Sequence, residues 1–395
     1  MKNHRFLTTL KLLGMPTLKN SLFMRIGMTR FIDQLHKKQG KDMSADHGKV
    51  MELFGSVFND VAGSVAIMMS YLGDQTGVYR AMDKLGPATV SSIAIESQVD
   101  ERYLLEWLSS NAARGYVTYD DDRQLFSLSP EQAAVFAREN EPTCIQGLIQ
   151  GVVGQFVNQD IAIDVFKTGR GRPWGEHHEC CFCGTERFFR PAYATHLLEE
   201  WIPALEGVEE KLKKGAKVAD IGCGLGTSSI LMAENFPNSV IHAYDFHAPS
   251  IEEARKRAES KGLKNVEFFV ADAADLSSED YDLACIFDAW HDMGDPVGIA
   301  EAIRQKLADD GTFMVVEPMA FDGLQNNIEN NPGAGMFYGF GTLICVPASK
   351  AQPVGLGLGP QAGPKRLMEL LSSAGFSEVN LAAETKNNLV LQARR

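Results

Sequence analysis

The sequence predicts an α/β protein: a mostly parallel sheet covered by helices on both faces, preceded by a smaller and mainly helical domain. Three observations predict it. Beyond Gly207, apolar β-type runs alternate with helical patterns, the order that builds a parallel sheet. Between Thr76 and Leu128, three helical segments come before two short β-like runs. The composition, 45% hydrophobic and 23% charged over 395 residues, is that of a globular chain with a large core. At roughly 150 residues per domain, this length fits two or three domains.

Charge is unevenly spread. The formal total is −13, yet from Met1 to Asp42 nine Lys/Arg face only Asp33 and Asp42. Residues 1–45 therefore form a basic N-terminal extension. Its acid-poor start resembles an organellar targeting segment, but serines are few, and packing on a neighbour is the plainer expectation. It has no long apolar h-region, so no secretory signal is expected. Seven cysteines, an odd number, point to a reducing compartment and a cytoplasmic protein without a disulfide framework. No run approaches the ~18 continuous apolar residues of a membrane helix, so no membrane partner is expected.

The second segment spans residues 46–141. From Asp46 to Tyr71, apolar residues recur at helical spacing, with Gly55 and Gly63 among them. Helices are then predicted over Thr76–Leu85, Thr89–Gln98 and Asp100–Arg114, with Asp100 as N-cap and Gly115 as the stop. Tyr116–Tyr119 and Leu125–Leu128 form a hairpin around Asp120, Asp121, Asp122 and Arg123. Three helices and a hairpin is the order of a winged helix. DNA binding would need cations for the phosphates, but Met43–Glu141 carries seven Lys/Arg against fifteen Asp/Glu. Dimerisation or a substrate lid suits this balance better, and nucleic acid is not an expected partner.

Residues 142–206 are helical but irregular, and are expected to link the domains and wall the acceptor side of a site. They include His177, His178, Cys180, Cys181 and Cys183. Thiolates and imidazoles are the usual soft-metal ligands, but this spacing lacks the second Cys pair of a zinc ribbon, and no metal is expected. Phe188, Phe189, Tyr193 and Trp201 recur at partly helical spacing and read as one core face.

Residues 207–395 hold the sheet. Strands are predicted at Lys217–Ile221, Ser239–Tyr244, Val266–Val270, Tyr281–Phe287, Thr312–Val316, Val379–Ala383 and Leu389–Gln392. The first ends in Asp220-Ile221-Gly222-Cys223-Gly224-Leu225-Gly226-Thr227. A dinucleotide fingerprint would place its third glycine at Thr227. Glycines allow close backbone approach, and the acid before them suits a cationic group better than a pyrophosphate. Further acids fall at successive strand ends, where open α/β sheets bind ligands: Asp245, placed to accept from ribose hydroxyls, Asp272 beside Ala273, placed to accept from an adenine amine, and Asp288. One such acid could simply cap a helix; four in succession argue for a site. Met336-Phe337-Tyr338 and Gly355-Leu356-Gly357-Leu358-Gly359 lie on a long apolar, glycine-rich connection of the kind that forms lids.

From about Ala216 to the C-terminus, these motifs resemble the nucleoside-binding motifs of class I S-adenosylmethionine-dependent methyltransferases. With the winged-helix segment, Phe287-Asp288-Ala289-Trp290-His291-Asp292 and Val316-Glu317-Pro318, the chain is similar to a bacterial group of winged-helix small-molecule methyltransferases. It is more distantly similar to plant-type O-methyltransferases. The resemblance implies a seven-stranded Rossmann-like domain ending in an antiparallel pair and a homodimer. It also implies S-adenosylmethionine as methyl donor, S-adenosylhomocysteine as product, and a small, largely apolar acceptor. Asp220, Gly222, Cys223, Gly224, Asp245, Phe246, Asp272, Ala273 and Asp288 would hold the donor. His291 matches the general base and Glu317 the acid that orients it; His291 as a packed loop residue is the alternative. Two rival functions stand beside this one. One is a regulator that senses S-adenosylmethionine and binds DNA through the winged helix. The other is a thiol-dependent methyltransferase of metalloids or sulfur acceptors using Cys180, Cys181 and Cys183.

Overall fold

The computed structural model describes residues 45–277 and 279–395; the basic extension falls outside these up to position 44. The first element is α1 (His47–Gln75). By length and composition this helix could cross a membrane, which the sequence conceals because Gly, Ser, Asn and Asp interrupt its apolar residues. Gly77, at φ 75°, turns the chain into α2 (Val78–Leu85). Thr89 caps α3 (Val90–Ser97) by accepting from the Ser92 amide. Asp100 caps α4 (Glu101–Arg114) by accepting from the Arg102 and Tyr103 amides, and Gly115 ends it at φ 77°. A hairpin of β1 (Thr118–Asp120) and β2 (Leu125–Ser127) follows, then α5 (Pro130–Phe136), opened by a Ser129–Gln132 capping box. Tyr79 stacks on Phe136 and meets Trp107 edge-on in the core of this domain. The three helices and hairpin stand in winged-helix order.

Next come α6 (Gln146–Val157), α7 (Gln159–Thr168) and α8 (Glu179–His196). Glycine sets how closely α6 and α8 approach. A Cβ on Gly147 would lie 2.4 Å from the Phe188 amide nitrogen, and one on Gly184 would lie 2.4 Å from that of Gly151. Any side chain there would force the helices apart. Ion pairs tie α8 to the winged helix: Arg187 reaches Asp74 at 2.8 Å and Glu139 at 2.6 Å, with Asp74 only 4% exposed.

The sheet domain opens with α9 (Val208–Lys214) and continues as β3 (Lys217–Ile221), α10 (Thr227–Asn235), β4 (Val240–Asp245), α11 (Ala248–Ser260), β5 (Val266–Val270), β6 (Tyr281–Phe287), α12 (Pro296–Lys306) and β7 (Leu307–Pro318). It closes with α13 (Leu324–Asn330), α14 (Ala334–Phe340), α15 (Val346–Lys350), α16 (Pro364–Ser373), β8 (Glu378–Glu384) and β9 (Asn388–Arg394). The strand order is β5-β4-β3-β6-β7-β9-β8, parallel except that β9 runs against both β7 and β8. Both faces are buried: on β7, Phe313 and Val315 join one core layer, and Met314 and Val316 the other. From β3 the chain winds outward to β5, then returns to β6 on the other side. The loops after β3 and β6 therefore part and leave a crevice at the carboxyl ends.

The connection after β7 differs from the expected open lid. Met336, Phe337 and Tyr338 lie on α14, and a π-helical turn, Gly341–Cys345, leads into α15. Burial of Ala334, Ile344, Cys345 and Ala348 at helical spacing explains the folding of this stretch. Residues 351–363, including the Gly355–Gly359 run, form the longest stretch of this connection without regular structure.

Candidate active site

The crevice begins at the loop after β3, where Gly222, Gly224 and Gly226 have φ of 73°, 53° and 79°. A Cβ on Gly226 would press on Phe268 and Ala254 at under 3 Å, so this glycine seats the loop on the sheet. A Cβ on Gly224 would meet nothing within 4 Å. The Gly222 and Cys223 amides donate to the Tyr244 carbonyl at 2.8 and 3.0 Å, tying the loop to β4. At the end of β4, Asp245 accepts from the Gly224 amide at 2.9 Å and the His247 amide at 2.8 Å. Burial pushes the Asp245 carboxyl above its usual range despite these bonds.

Around this loop lies a cavity of about 1260 Å³. Gly222, Cys223, Gly224, Asp245, Phe246, Asp272, Ala273 and Asp288 all line it. Asp272 sits exposed, two residues beyond β5, and accepts from the Ala274 amide at 3.1 Å. Asp220 is the exception. Strand alternation turns Ile221 to the cavity and Asp220 away from it. There Asp220 accepts from the Ser228 and Ser229 hydroxyls, at 2.6 and 2.5 Å, in the first turn of α10. It is fully buried, its Oδ1 has no hydrogen-bond partner, and burial pushes its pKa up to about 6. It supports the glycine loop from behind and does not wall the site.

Electrostatics define this chamber. Glu186, Asp245, Asp272, Asp288 and Asp292 line it, and among the described residues no Lys, Arg or His does. A polyanion would find no cation on these walls. A nucleoside bearing a positive centre fits.

A second cavity, of about 600 Å³, adjoins the first and shares Trp174, Thr185, Phe189, Asp288 and Asp292 with it. Its remaining walls are mostly apolar, from α6, α8, α14 and the π-helical turn. His291 opens into this chamber and does not line the first. It lies on a 3₁₀ turn after β6, 3% exposed, with Nδ1 2.5 Å from Glu317 Oε2; the His291 amide donates to Glu317 Oε1 at 3.2 Å. Asp292 Oδ1 lies 3.3 Å from its Nε2. Burial alone would lower the His291 pKa, but the Glu317 and Asp292 charges outweigh it and hold it well above the ordinary imidazole value. Asp288, held at φ 50°, accepts from the Tyr193 hydroxyl at 3.0 Å and the Asn388 amide at 2.8 Å. Burial and the neighbouring Glu317 charge push its pKa far up.

Cys180, Cys181 and Cys183 do not converge. The Cys180 thiol lies 3.3 Å from the Tyr71 hydroxyl, Cys181 packs in a small core with Ile344 and Cys345, and Cys183 is exposed. Among the described residues, the potential metal-ligating groups that do meet are His291, Asp292 and Cys345, within 4.8 Å of one another. Sequence reasoning missed Cys345 and Trp174, which reach the site through helix packing, and Asn388, which opens β9 opposite Pro318. Tyr193 and Phe189 appeared as core residues; they do stack on each other, Tyr193 meets Trp201 edge-on, and both also wall the crevice.

Fold and crevice together define a class I methyltransferase architecture with an N-terminal winged helix. Residues 212–375 match the methyltransferase domain family, and residues 63–138 match the Rv2258c-like winged helix-turn-helix domain. The chain thus carries one region that matches a methyltransferase domain and one that matches a winged helix-turn-helix domain. It resembles the structure of human N-acetylserotonin methyltransferase in complex with S-adenosylmethionine, at TM-score 0.65 and 14% identity, covering 90% of this chain and 99% of that one. It also resembles mitomycin 7-O-methyltransferase, at TM-score 0.64 and 17% identity, covering 89% and 100%. In sequence it is 27% identical over 139 residues to (S)-coclaurine N-methyltransferase of Thalictrum flavum subsp. glaucum, over 34% of this chain and 37% of that protein. The matched stretch spans well under two thirds of the first curated relatives, at 22%, 37% and 42% of their lengths.

Proposed function

We propose that the chain transfers a methyl group from S-adenosylmethionine to the oxygen of a small, largely apolar acceptor. The observation that carries this reading is the pair of adjoining chambers, one lined by carboxyl groups with no cation among the described residues and one apolar with His291 opening into it. S-adenosylmethionine, when bound, supplies a methyl group made electrophilic by its sulfonium. Asp245 takes the ribose hydroxyls and Asp272 the adenine amine. The open face of Gly224 lets the backbone approach, with Cys223, Phe246 and Ala273 against the nucleoside. Asp288 and Tyr193 border the passage between the chambers.

His291 Nε2 accepts the proton of the acceptor hydroxyl as the oxygen takes the methyl group, and S-adenosylhomocysteine leaves with the bonding electrons on sulfur. Glu317, on Nδ1, fixes the ring and favours the imidazolium that forms. In-line positioning by the two chambers supplies much of the remaining acceleration.

Two further readings belong to this proposal. The apolar residues Phe54, Val57, Val61, Val65, Met68 and Leu72 form an exposed stripe at helical spacing on α1, which supports a homodimer in preference to a membrane span. The seven free cysteines support a cytoplasmic setting. The experiment is incubation with methyl-labelled donor and a metabolite extract, followed by mass spectrometry. A labelled product absent with His291→Ala is expected; no labelled product from any extract contradicts the proposal.

A further inference from the structure

The chamber that holds His291 has a neighbour at its far end. A cavity of about 810 Å³ lies beyond it, and the two share Leu148, Phe188, Phe189 and Phe337 as walls. None of these four side chains is fully buried. Their apolar faces border open space on two sides, as at a constriction within a channel. The Asp288–Asn388 hydrogen bond runs across the same divide, since Asp288 lines the inner chamber and Asn388 the outer one.

The outer chamber has a different character. Thr143, Thr195, His196 and Asn387 line it, and among the described residues no Asp, Glu, Lys or Arg does. Its polar groups suit a neutral hydrogen-bonding end and offer no counter-charge to a carboxylate or phosphate. The inner chamber alone takes a compact acceptor. The pair takes something longer.

We propose that the two cavities form one acceptor passage, and that the acceptor is an elongated, uncharged molecule with its reacting hydroxyl at His291. An apolar body lies between Phe188, Phe189 and Phe337, and a neutral polar end reaches Thr143 and Asn387. This deepens the methyl-transfer reading and rests on it for which end reacts. It predicts a dependence on length that a single closed pocket would lack.

The test is calorimetric binding of 4-alkylphenols, from methyl to octyl, to the full chain, with methyl transfer to each phenol measured in parallel. Burial of each methylene is worth about fourfold in affinity, so the dissociation constant should fall steadily with chain length past butyl. Ala192→Phe places a ring in the outer chamber, whose wall includes Ala192. It should abolish the gain for hexyl and octyl while leaving 4-methylphenol within twofold. A flat series, or no binding at any length, overturns the proposal, and the wild-type series decides this even if the variant fails to fold. Equal weakening at every length by a folded Ala192→Phe overturns it as well. Chain-length-dependent binding without methyl transfer would leave the passage standing and remove the methyl-transfer reading.

Discussion

The donor and acceptor halves of the crevice are built in opposite ways. The donor chamber comes from consecutive strand ends and their loops, where Gly222, Gly224, Asp245 and Asp272 follow one another along the chain. The acceptor chamber is assembled from separated segments: Gly147 and Gly151 on α6, Phe188 and Phe189 on α8, Phe337 on α14, and Cys345 on the π-helical turn. The first is rigidly tied by backbone hydrogen bonds into the sheet. The second is walled by side chains on packed helices. In the proposed function, donor recognition would follow from the fold, whereas acceptor choice would depend on helix packing that can vary without disturbing the sheet.

Substitutions can break this separation, and the largest effect is expected at the junction. His291→Ala should lower turnover by roughly 10²–10⁴-fold and leave donor affinity unchanged, as read by single-turnover kinetics and calorimetry. If donor affinity collapsed as well, the chambers would not be independent. Asp245→Ala removes a carboxylate from the donor side only. It should weaken donor binding by about tenfold to a hundredfold, from the loss of charge-assisted hydrogen bonds worth about 1.5–3 kcal/mol each, without changing the acceptor preference of the residual activity.

Gly151→Val is the reciprocal change. A Cβ at Gly151 meets nothing within 4 Å, and this residue lines the acceptor chamber. The variant should fold, raise the acceptor KM about tenfold, and leave the donor dissociation constant within twofold. Glu317→Gln tests what holds His291. Turnover needs the neutral ring, so it should rise with pH above neutrality in the wild-type protein. Removing the Glu317 charge lets burial lower the His291 pKa, so the acid limb of the pH–rate profile should move to lower pH, with a reduced plateau.

The smallest effect belongs to Asp220, with a pKa of about 6. As pH falls through that value the carboxylate is neutralised and no longer favours a cationic ligand beyond the loop. Donor affinity should therefore decline severalfold between pH 7.5 and 5.5, and this decline should be shallower in Asp220→Asn, with Asp245 contributing what remains. An unchanged slope would show that Asp220 acts only as a support for Ser228 and Ser229.

The same contrast governs what could be seen in the sequence. Strand alternation and glycine spacing are local signals, so the seven strands, the caps Asp100 and Gly115, and the acids at strand ends were legible. For Asp220 the motif gives its position along β3 but not the face that alternation assigns it, which turns it from the cavity. The connection after β7 looked like an open lid because its glycines obscured apolar residues at helical spacing, which pack as α14 and α15. Gly147 and Gly184 carry no local turn signal. Their role appears only when α6 and α8 meet at backbone contact. His291 and Glu317 lie 26 residues apart and are joined by the parallel pairing of β6 with β7.

The central claim is that the carboxyl-lined chamber holds the methyl donor. Calorimetric titration of the purified chain with S-adenosylmethionine and S-adenosylhomocysteine measures it directly. Micromolar binding of both, severely weakened by Asp245→Ala, is the expected result; no heat with either nucleoside would contradict it.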